Sequence, residues 1–128
     1  MSFNLSRKSL GRLEGVHPDL VSIVVLAITK TTQDFLVLEG LRTVERQKKL
    51  VAKGASTTMN SRHIKAANGY GHAVDLAPYP ISWDWARFYP IADAMKAAAA
   101  ELKISLEWGG DWTSFKDGPH FQLPRGEY

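Results

Sequence analysis

The sequence predicts an α+β fold in which a small antiparallel sheet packs with helices. Apolar residues recur at helical spacing in several segments, and short apolar runs typical of strands lie between them. Most of these runs fall in the second half of the chain around one long helix, instead of alternating regularly with helices as in α/β proteins. The 128 residues are enough for one hydrophobic core, so we expect a single domain over residues 1–128.

The predicted helices cover residues 4–14, 18–29, 43–52 and 85–102. Pro18 suits the first turn of the second helix, in which Leu20, Val24 and Ile28 recur on one face. Thr43 is a suitable N-cap for the third helix, and Gly54 ends it. The fourth helix carries a continuous apolar stripe, which predicts a core position.

The predicted strands cover residues 35–38, 72–77, 105–108 and 120–123, whereas the Ser-, Thr-, Asn- and Gly-rich residues 55–71 are typical of a loop. Successive side chains of a strand point to opposite faces. His72 and Asp75 are therefore expected on opposite faces of one strand and should not share a metal. His120 and Gln122 are expected on the same face of the last strand.

The composition narrows the possible chemistry. The chain has no cysteine, which excludes disulfides, thiolate nucleophiles and cysteine-ligated zinc, so any metal must be held by histidine and carboxylate ligands. No apolar run approaches the ~20 residues that span a bilayer, and no secretory signal is recognisable, so we expect a cytoplasmic protein without a membrane partner. The net charge of +3 suits an anionic partner such as a wall polymer, and no motif indicates nucleic-acid binding.

Histidines and carboxylates in the second half of the chain could form a catalytic metal site. A catalytic zinc takes three protein ligands and leaves one position open, and a nearby carboxylate then serves as general base. Asp75 lies between Val74 and Leu76, where a carboxylate is costly to bury unless it is paired or bound to a metal. Asp117 precedes His120 by three residues across a Gly-Pro turn and can approach a metal-activated water without being a ligand.

Three blocks of the sequence, in order, resemble the signature of one zinc peptidase group. In chain order, the first block is EGLRT at 39–43 with RQ at 46–47. The second is SRH at 61–63 with GHAVD at 71–75, and the third is EWGGDW at 107–112 with DGPHF at 117–121. The group includes D-Ala-D-Ala carboxypeptidases, dipeptidases of the vancomycin-resistance type, and phage endolysins that are L-alanyl-D-glutamate peptidases. The N-terminal domain of hedgehog proteins shares its fold. The resemblance covers roughly residues 35–123.

The resemblance implies a zinc ion on the sheet face, held by His63, Asp75 and His120. Asp117 would be the catalytic base, at a place where other members use Glu. Glu107 is an alternative base, although a structural role for Glu107 is favoured. Arg42 would stabilise a substrate carbonyl or carboxylate, for which its planar fork is suited. The remaining residues implied around the substrate are Ser61, Gln47, Trp108 and Trp112.

By the same resemblance, the expected function is zinc-dependent hydrolysis of peptidoglycan stem peptides, with the L-Ala–D-Glu bond favoured. The expected protein is a monomeric phage endolysin that accumulates in the cytoplasm of a bacterial host and acts on the cell wall at lysis. Two alternatives stay open. One is a D,D-carboxypeptidase or dipeptidase acting on peptidoglycan precursors, and the other is a catalytically impaired binding member.

The second alternative arises from one departure from the signature. The group has two residues between the motif His and Gly, whereas seven residues, Ile64–Tyr70, separate His63 from Gly71 here. The extra residues could bulge over the cleft and leave His63 in place, displace His63, or pass its role to another residue such as His72. The first possibility is favoured, because Asn68-Gly69 is a turn-forming pair that lets the segment fold back on itself.

Overall fold

The computed structural model of the protein describes residues 3–54, 61–114 and 116–125. Within these residues the α-helices are α1 (Arg7–Arg12), α2 (Pro18–Lys30), α3 (Val44–Ala52) and α4 (Phe88–Leu102). The strands are β1 (Phe35–Glu39), β2 (Ala73–Pro78), β3 (Glu107–Trp108) and β4 (His120–Gln122). They form one sheet in the order β1-β2-β4-β3, with every neighbouring pair antiparallel. The predicted α+β class with a small antiparallel sheet is confirmed.

Side-chain caps explain where the helices begin. The Ser6 hydroxyl accepts a hydrogen bond from the Ser9 amide at 3.1 Å, so α1 starts after Ser6 and not at residue 4. The predicted cap of α3 is present, since Thr43 Oγ1 accepts from the Arg46 amide at 3.1 Å. The fourth helix begins later than predicted, because residues 85–87 form a 3-10 turn that leads into α4.

One face of the sheet packs against α2 and α4 and forms the hydrophobic core. Val74 and Leu76 of β2 and Phe121 of β4 are fully buried on this face. The helices contribute further fully buried side chains, which are Leu20, Ile23, Val24, Ala27, Ile91 and Met95. Among the helices in the described ranges, none is long and apolar enough to cross a membrane.

The opposite face of the sheet carries polar side chains. β2 pairs with β4 in a register that places Asp75 directly across from His120 and Val74 across from Phe121. Because side chains alternate along both strands, Asp75 and His120 share the face turned away from the helical core. The alternation that the sequence predicts is therefore present, and it brings two of the candidate ligands together.

Candidate metal centre and active site

Asp75 lies between two imidazole rings. Its Oδ1 atom is 3.2 Å from Nε2 of His63 and 3.3 Å from Nδ1 of His120. One ligand atom from each of the three residues can be chosen so that all lie within 4.8 Å of one another. Both histidines are buried, and the Asp75 side chain is partly exposed. The three residues expected as ligands, His63, Asp75 and His120, are thus assembled into one cluster, the metal group, that could hold one metal ion.

Each imidazole has its other ring nitrogen engaged. Nδ1 of His63 is 2.9 Å from the Gly40 carbonyl oxygen, which can only accept, so Nδ1 carries a proton and Nε2 is the ring nitrogen that faces Asp75. His120 is oriented the opposite way, with Nε2 2.8 Å from Oε1 of Gln122 and Nδ1 facing Asp75. These outer hydrogen bonds orient both rings toward the same point, as they commonly do for metal-ligating histidines.

The carboxylate and the imidazoles shift each other's pKa. Burial alone would raise the pKa of Asp75, but hydrogen bonds from His120 and His63 outweigh it and hold that pKa well below its usual range. Burial alone would lower the pKa of His120, but the hydrogen bond and negative charge of Asp75 raise it above its ordinary value. A metal that binds Nδ1 of His120 would therefore have to compete with a proton that this ring holds more firmly than an ordinary histidine does.

Metal affinity of the metal-free protein is expected to fall as the pH decreases. The raised pKa of His120 means that protons begin to compete at a higher pH than for an ordinary histidine, while Asp75 stays ionised throughout. A competition titration against a chromophoric chelator, repeated over about pH 5.5 to 8.5 and corrected for protonation of the chelator, measures the effect. An affinity independent of pH over this range would contradict it.

The segment Ile64–Tyr70 leaves His63 at the site. It folds back on itself through hydrogen bonds from the Ala66 amide to the Tyr70 carbonyl (2.8 Å) and from the Gly69 amide to the Ala66 carbonyl (2.9 Å). Gly69 adopts a φ of +89°, which accounts for the turn. Its Asn68 side chain contacts His72, which is not a member of the metal group. The group is therefore assembled in spite of the extra residues; the initial part of the predicted loop, residues 55–60, lies outside the described residues.

The two residues that flank the segment Ile64–Tyr70 are both hydrogen-bonded to the rest of the protein. The Arg42 amide donates to the His63 carbonyl at 2.8 Å, and the His17 amide donates to the Gly71 carbonyl at 2.9 Å. The Ser61 hydroxyl accepts from the His63 amide at 3.1 Å. These backbone contacts hold the ends of the segment in place, so that the added residues between them do not displace His63.

Arg42 lies beside the metal group and is held by two neighbours. Its Nε and Nη2 atoms donate to the two carboxylate oxygens of Glu39 at 2.9 and 2.8 Å, and Nη1 donates to Oε1 of Gln47 at 2.8 Å. Nη2 also lies 3.9 Å from Oδ2 of Asp75. Three of the five guanidinium N–H groups are used by Glu39 and Gln47, which leaves two that can donate to a further acceptor.

Asp117 is exposed to solvent and lies near the metal group. Partial desolvation raises the pKa of its carboxyl, and the negative charge of Asp75 adds to the rise. Its backbone is held against the 3-10 turn of residues 109–111, because the Asp117 amide donates to the Gly109 carbonyl at 3.1 Å. A carboxyl with a raised pKa beside a metal group is suited to accept and return a proton.

Gly109 has no side chain at the point where Asp117 packs. A Cβ atom added there would collide with the Asp117 carbonyl oxygen and lie 3.0 Å from its Cβ. Gly109→Ala is therefore expected to displace Asp117 and to lower the free energy of unfolding by about 1–3 kcal/mol. Thermal or denaturant unfolding measures this loss. Gly11→Ala, in α1, is the matched control, since a Cβ there meets nothing within 4 Å; equal stability of the two variants would contradict the packing described.

The four residues expected around the substrate occupy different environments. Gln47 is fully buried and contacts Arg42, while Ser61 supports the His63 backbone. Trp108 is also buried, and its Nε1 donates to the Gly118 carbonyl at 2.7 Å. Trp112 is partly exposed, with its ring centroid 5.3 Å from that of His120. Of these four, Ser61 and Trp112 contact members of the metal group, Ser61 through the His63 backbone and Trp112 through the ring of His120.

The sequence interpretation assigned no role to Glu39, Gln122 or the carbonyl of Gly40, all of which contact the site. Two of them had a recognisable signal. Strand alternation puts Gln122 on the face of His120, and Glu39 stands inside the block that contains Arg42. The Gly40 carbonyl had none, because a backbone acceptor that meets a side chain 23 residues away is not visible in a sequence pattern.

The chain is similar to proteins of known activity along nearly its whole length. The profile of the family described as phage L-alanyl-D-glutamate peptidase matches residues 1–123. The L-alanyl-D-glutamate peptidase of Escherichia phage T5 is 33% identical over 135 aligned positions, covering 100% of this chain and 94% of that protein. The Bacillus subtilis peptidoglycan L-alanyl-D-glutamate endopeptidase CwlK is 29% identical, covering 70% of this chain and 60% of CwlK.

A solved structure also matches this fold. The Serratia marcescens L-Ala D-Glu endopeptidase ChiX superposes with a TM-score of 0.85 at 44% identity, covering 97% of this chain and 90% of that one. The arrangement of helices and sheet described above is therefore one that a protein of named peptidase activity also adopts.

Proposed function

The chain belongs to the family of phage L-alanyl-D-glutamate peptidases, and on this premise we propose that it hydrolyses the L-Ala–D-Glu bond of peptidoglycan stem peptides with a zinc ion. The ligands would be His63, Asp75 and His120. The observation that carries the proposal is the position of the Asp75 carboxylate between two imidazoles that each turn one ring nitrogen toward it.

The donor set and its spacing fit zinc. With metal–ligand bonds of about 2.0–2.1 Å, a regular tetrahedron has edges of about 3.3–3.4 Å between ligand atoms. The distances from Asp75 Oδ1 to the two imidazole nitrogens, 3.2 and 3.3 Å, are close to such edges. Two neutral imidazoles and one carboxylate are a common protein ligand set for a catalytic zinc, which keeps its fourth position open.

The residues around the ion have separable tasks in the reaction. Zinc, when bound, polarises the scissile carbonyl and lowers the pKa of water. Asp117 takes a proton from the attacking water and delivers it to the amine of the leaving D-Glu. Arg42 donates its two remaining N–H groups to the negative charge that develops on the carbonyl oxygen, or to a carboxylate of the substrate. Glu39 and Gln47 keep the guanidinium in place for this task.

The masses of fragments released from purified sacculi test the proposal. Cleavage at L-Ala–D-Glu leaves L-Ala on the glycan strand and releases peptides that begin with a free D-Glu amine. A D,D-carboxypeptidase would instead release D-Ala from pentapeptide ends and leave crosslinked tetrapeptides intact. A binding member would hold the metal and release nothing. Either of the last two results would overturn the proposed reaction.

Place and assembly are also part of the proposal. We expect a monomer that accumulates in the bacterial cytoplasm and reaches the peptidoglycan at lysis. A net charge of +3 favours contact with the anionic wall. Light scattering of the purified protein measures its mass, and fractionation of infected cells before and after lysis measures its location.

A further inference from the structure

A chain of hydrogen bonds leads from His120 away from the metal group to a carboxylate on the edge strand. Nε2 of His120 lies 2.8 Å from Oε1 of Gln122, and Nε2 of Gln122 donates to Oε2 of Glu107 at 3.0 Å. Gln122 and Glu107 are direct partners in the register of β4 and β3, so the sheet itself keeps their side chains together. These two hydrogen bonds are not used in the reaction proposed above.

The direction of the chain follows from what each group can do. An ionised carboxylate only accepts hydrogen bonds, so Glu107 must face the NH₂ end of the Gln122 amide. The amide oxygen must then face His120, and an amide oxygen can only accept. Nε2 of His120 must therefore carry a proton. In the neutral ring the lone pair then lies on Nδ1, the nitrogen that faces the metal group.

Burial makes this directional control effective. His120 is 8% exposed and Gln122 is 9% exposed, so water has little opportunity to replace either partner. A hydrogen bond shielded from water is stronger, and an unsatisfied group there is more costly. Without Glu107 the amide could turn over and present its NH₂ group to His120. The ring would then have to accept through Nε2, and its proton would move to Nδ1, where it blocks the metal.

We propose that Glu107 is a positioning residue that acts through Gln122 to fix the tautomer of His120, and thereby sets the affinity of the site for its metal. The inference rests on the proposed metal site. The two histidines differ in what orients their rings. His63 is oriented by the backbone carbonyl of Gly40, which no side-chain substitution removes, whereas His120 is oriented by the side chains of Gln122 and Glu107. Metal affinity therefore depends on a carboxylate that does not contact the metal group.

Exchanging the two side chains tests this inference. Glu107→Gln removes the group that forces the direction of the amide, and about tenfold weaker binding of Zn²⁺ is expected, within the range typical of such outer partners. The double variant Glu107→Gln with Gln122→Glu restores the direction, because the new carboxylate at 122 accepts from both His120 and the amide at 107. It should recover most of the affinity. Glu101→Gln is the control of equal charge change, since Glu101 pairs with Lys30 on the surface.

Two measurements should be made on each variant. Chelator competition gives the Zn²⁺ affinity, and ¹⁵N shifts of labelled histidine give the protonated ring nitrogen of His120 at a pH above its titration. Loss in Glu107→Gln and recovery in the double variant, in both measurements, support the inference. Wild-type affinity and an unchanged tautomer in Glu107→Gln would overturn it, as would failure of the double variant to recover while it remains folded.

The ¹⁵N measurement also separates this inference from the proposed function. It can be made on the metal-free protein, so it reports on the Glu107–Gln122–His120 chain even if the wild-type protein binds no Zn²⁺. A protein that binds no Zn²⁺ but whose His120 loses the Nε2 proton in Glu107→Gln would overturn the proposed function and retain the positioning role. If the Glu107→Gln variant does not fold, the double variant, which keeps both side-chain sizes, supplies the test.

Discussion

Replacing Asp75 by alanine is expected to eliminate metal binding at working concentrations and, with it, hydrolysis. Asp75 is the proposed ligand that lies within 3.3 Å of both imidazoles, so its loss leaves two histidines without the negative charge that would offset a divalent cation. Structural zinc sites have an apparent binding free energy of about 10–16 kcal/mol, which four protein ligands share. The loss of one ligand is therefore expected to cost about 3 kcal/mol, which is more than a hundredfold in affinity. Chelator competition and metal analysis of the purified variant measure the loss.

The control for this prediction is Asp93→Ala, which removes an exposed carboxylate from α4 and should bind metal as the wild type does. Circular dichroism of the metal-free Asp75→Ala protein distinguishes loss of the site from loss of the fold. A variant that still binds metal with wild-type affinity would remove Asp75 from the ligand set and leave the two histidines to be explained in another way.

Asp117→Asn is expected to lower the rate of hydrolysis by about 10²- to 10⁴-fold while the affinity for metal changes little. Asparagine keeps the shape of the side chain but cannot accept and return a proton at neutral pH. Metal affinity should be retained because Asp117 does not belong to the group of residues that could hold the ion. Initial rates on sacculi together with the metal content of the same sample measure both quantities.

Asp117→Glu is the informative companion variant, because it keeps a carboxylate at this position and is expected to recover part of the rate. Near-normal hydrolysis by Asp117→Asn would show that another group is the base. Loss of metal in Asp117→Asn would instead indicate that this carboxyl helps to hold the ion. His120→Ala, which should lose both metal and activity, supplies the reference for that second result.

Much of the fold was predictable because its determinants are local. The spacing of apolar residues identified α2 and α4, and the Thr43 hydroxyl marked the start of α3. Strand alternation separated His72 from Asp75, and the structure agrees, with His72 fully buried and hydrogen-bonded to Asn68 instead of the metal group. Bounds were less accurate: β3 is two residues long where four were predicted, because its pairing with β4 ends at that point.

The environment of Arg42 and its neighbours was not predictable in the same way. Gln47 was expected at the substrate, but it is fully buried, and its amide oxygen accepts from Arg42. Glu39 was not assigned a role, although it takes two of the guanidinium donors. The motif shows that these residues stand close together along the chain, but not which of them face solvent, since that depends on how β1 and α3 are packed.

By itself, the sequence determined the class of the fold, the exclusion of cysteine chemistry and the side chains that share a strand face, because these depend on composition and on spacings of a few residues. The tertiary structure alone decided that His63 stays at the site despite the longer segment after it, and which nitrogen of each imidazole faces Asp75. Those outcomes depend on contacts between residues far apart in the chain, Gly40 with His63 and Glu107 with Gln122. A hydrogen-bond acceptor brought near by folding selects a tautomer, and no local pattern encodes it.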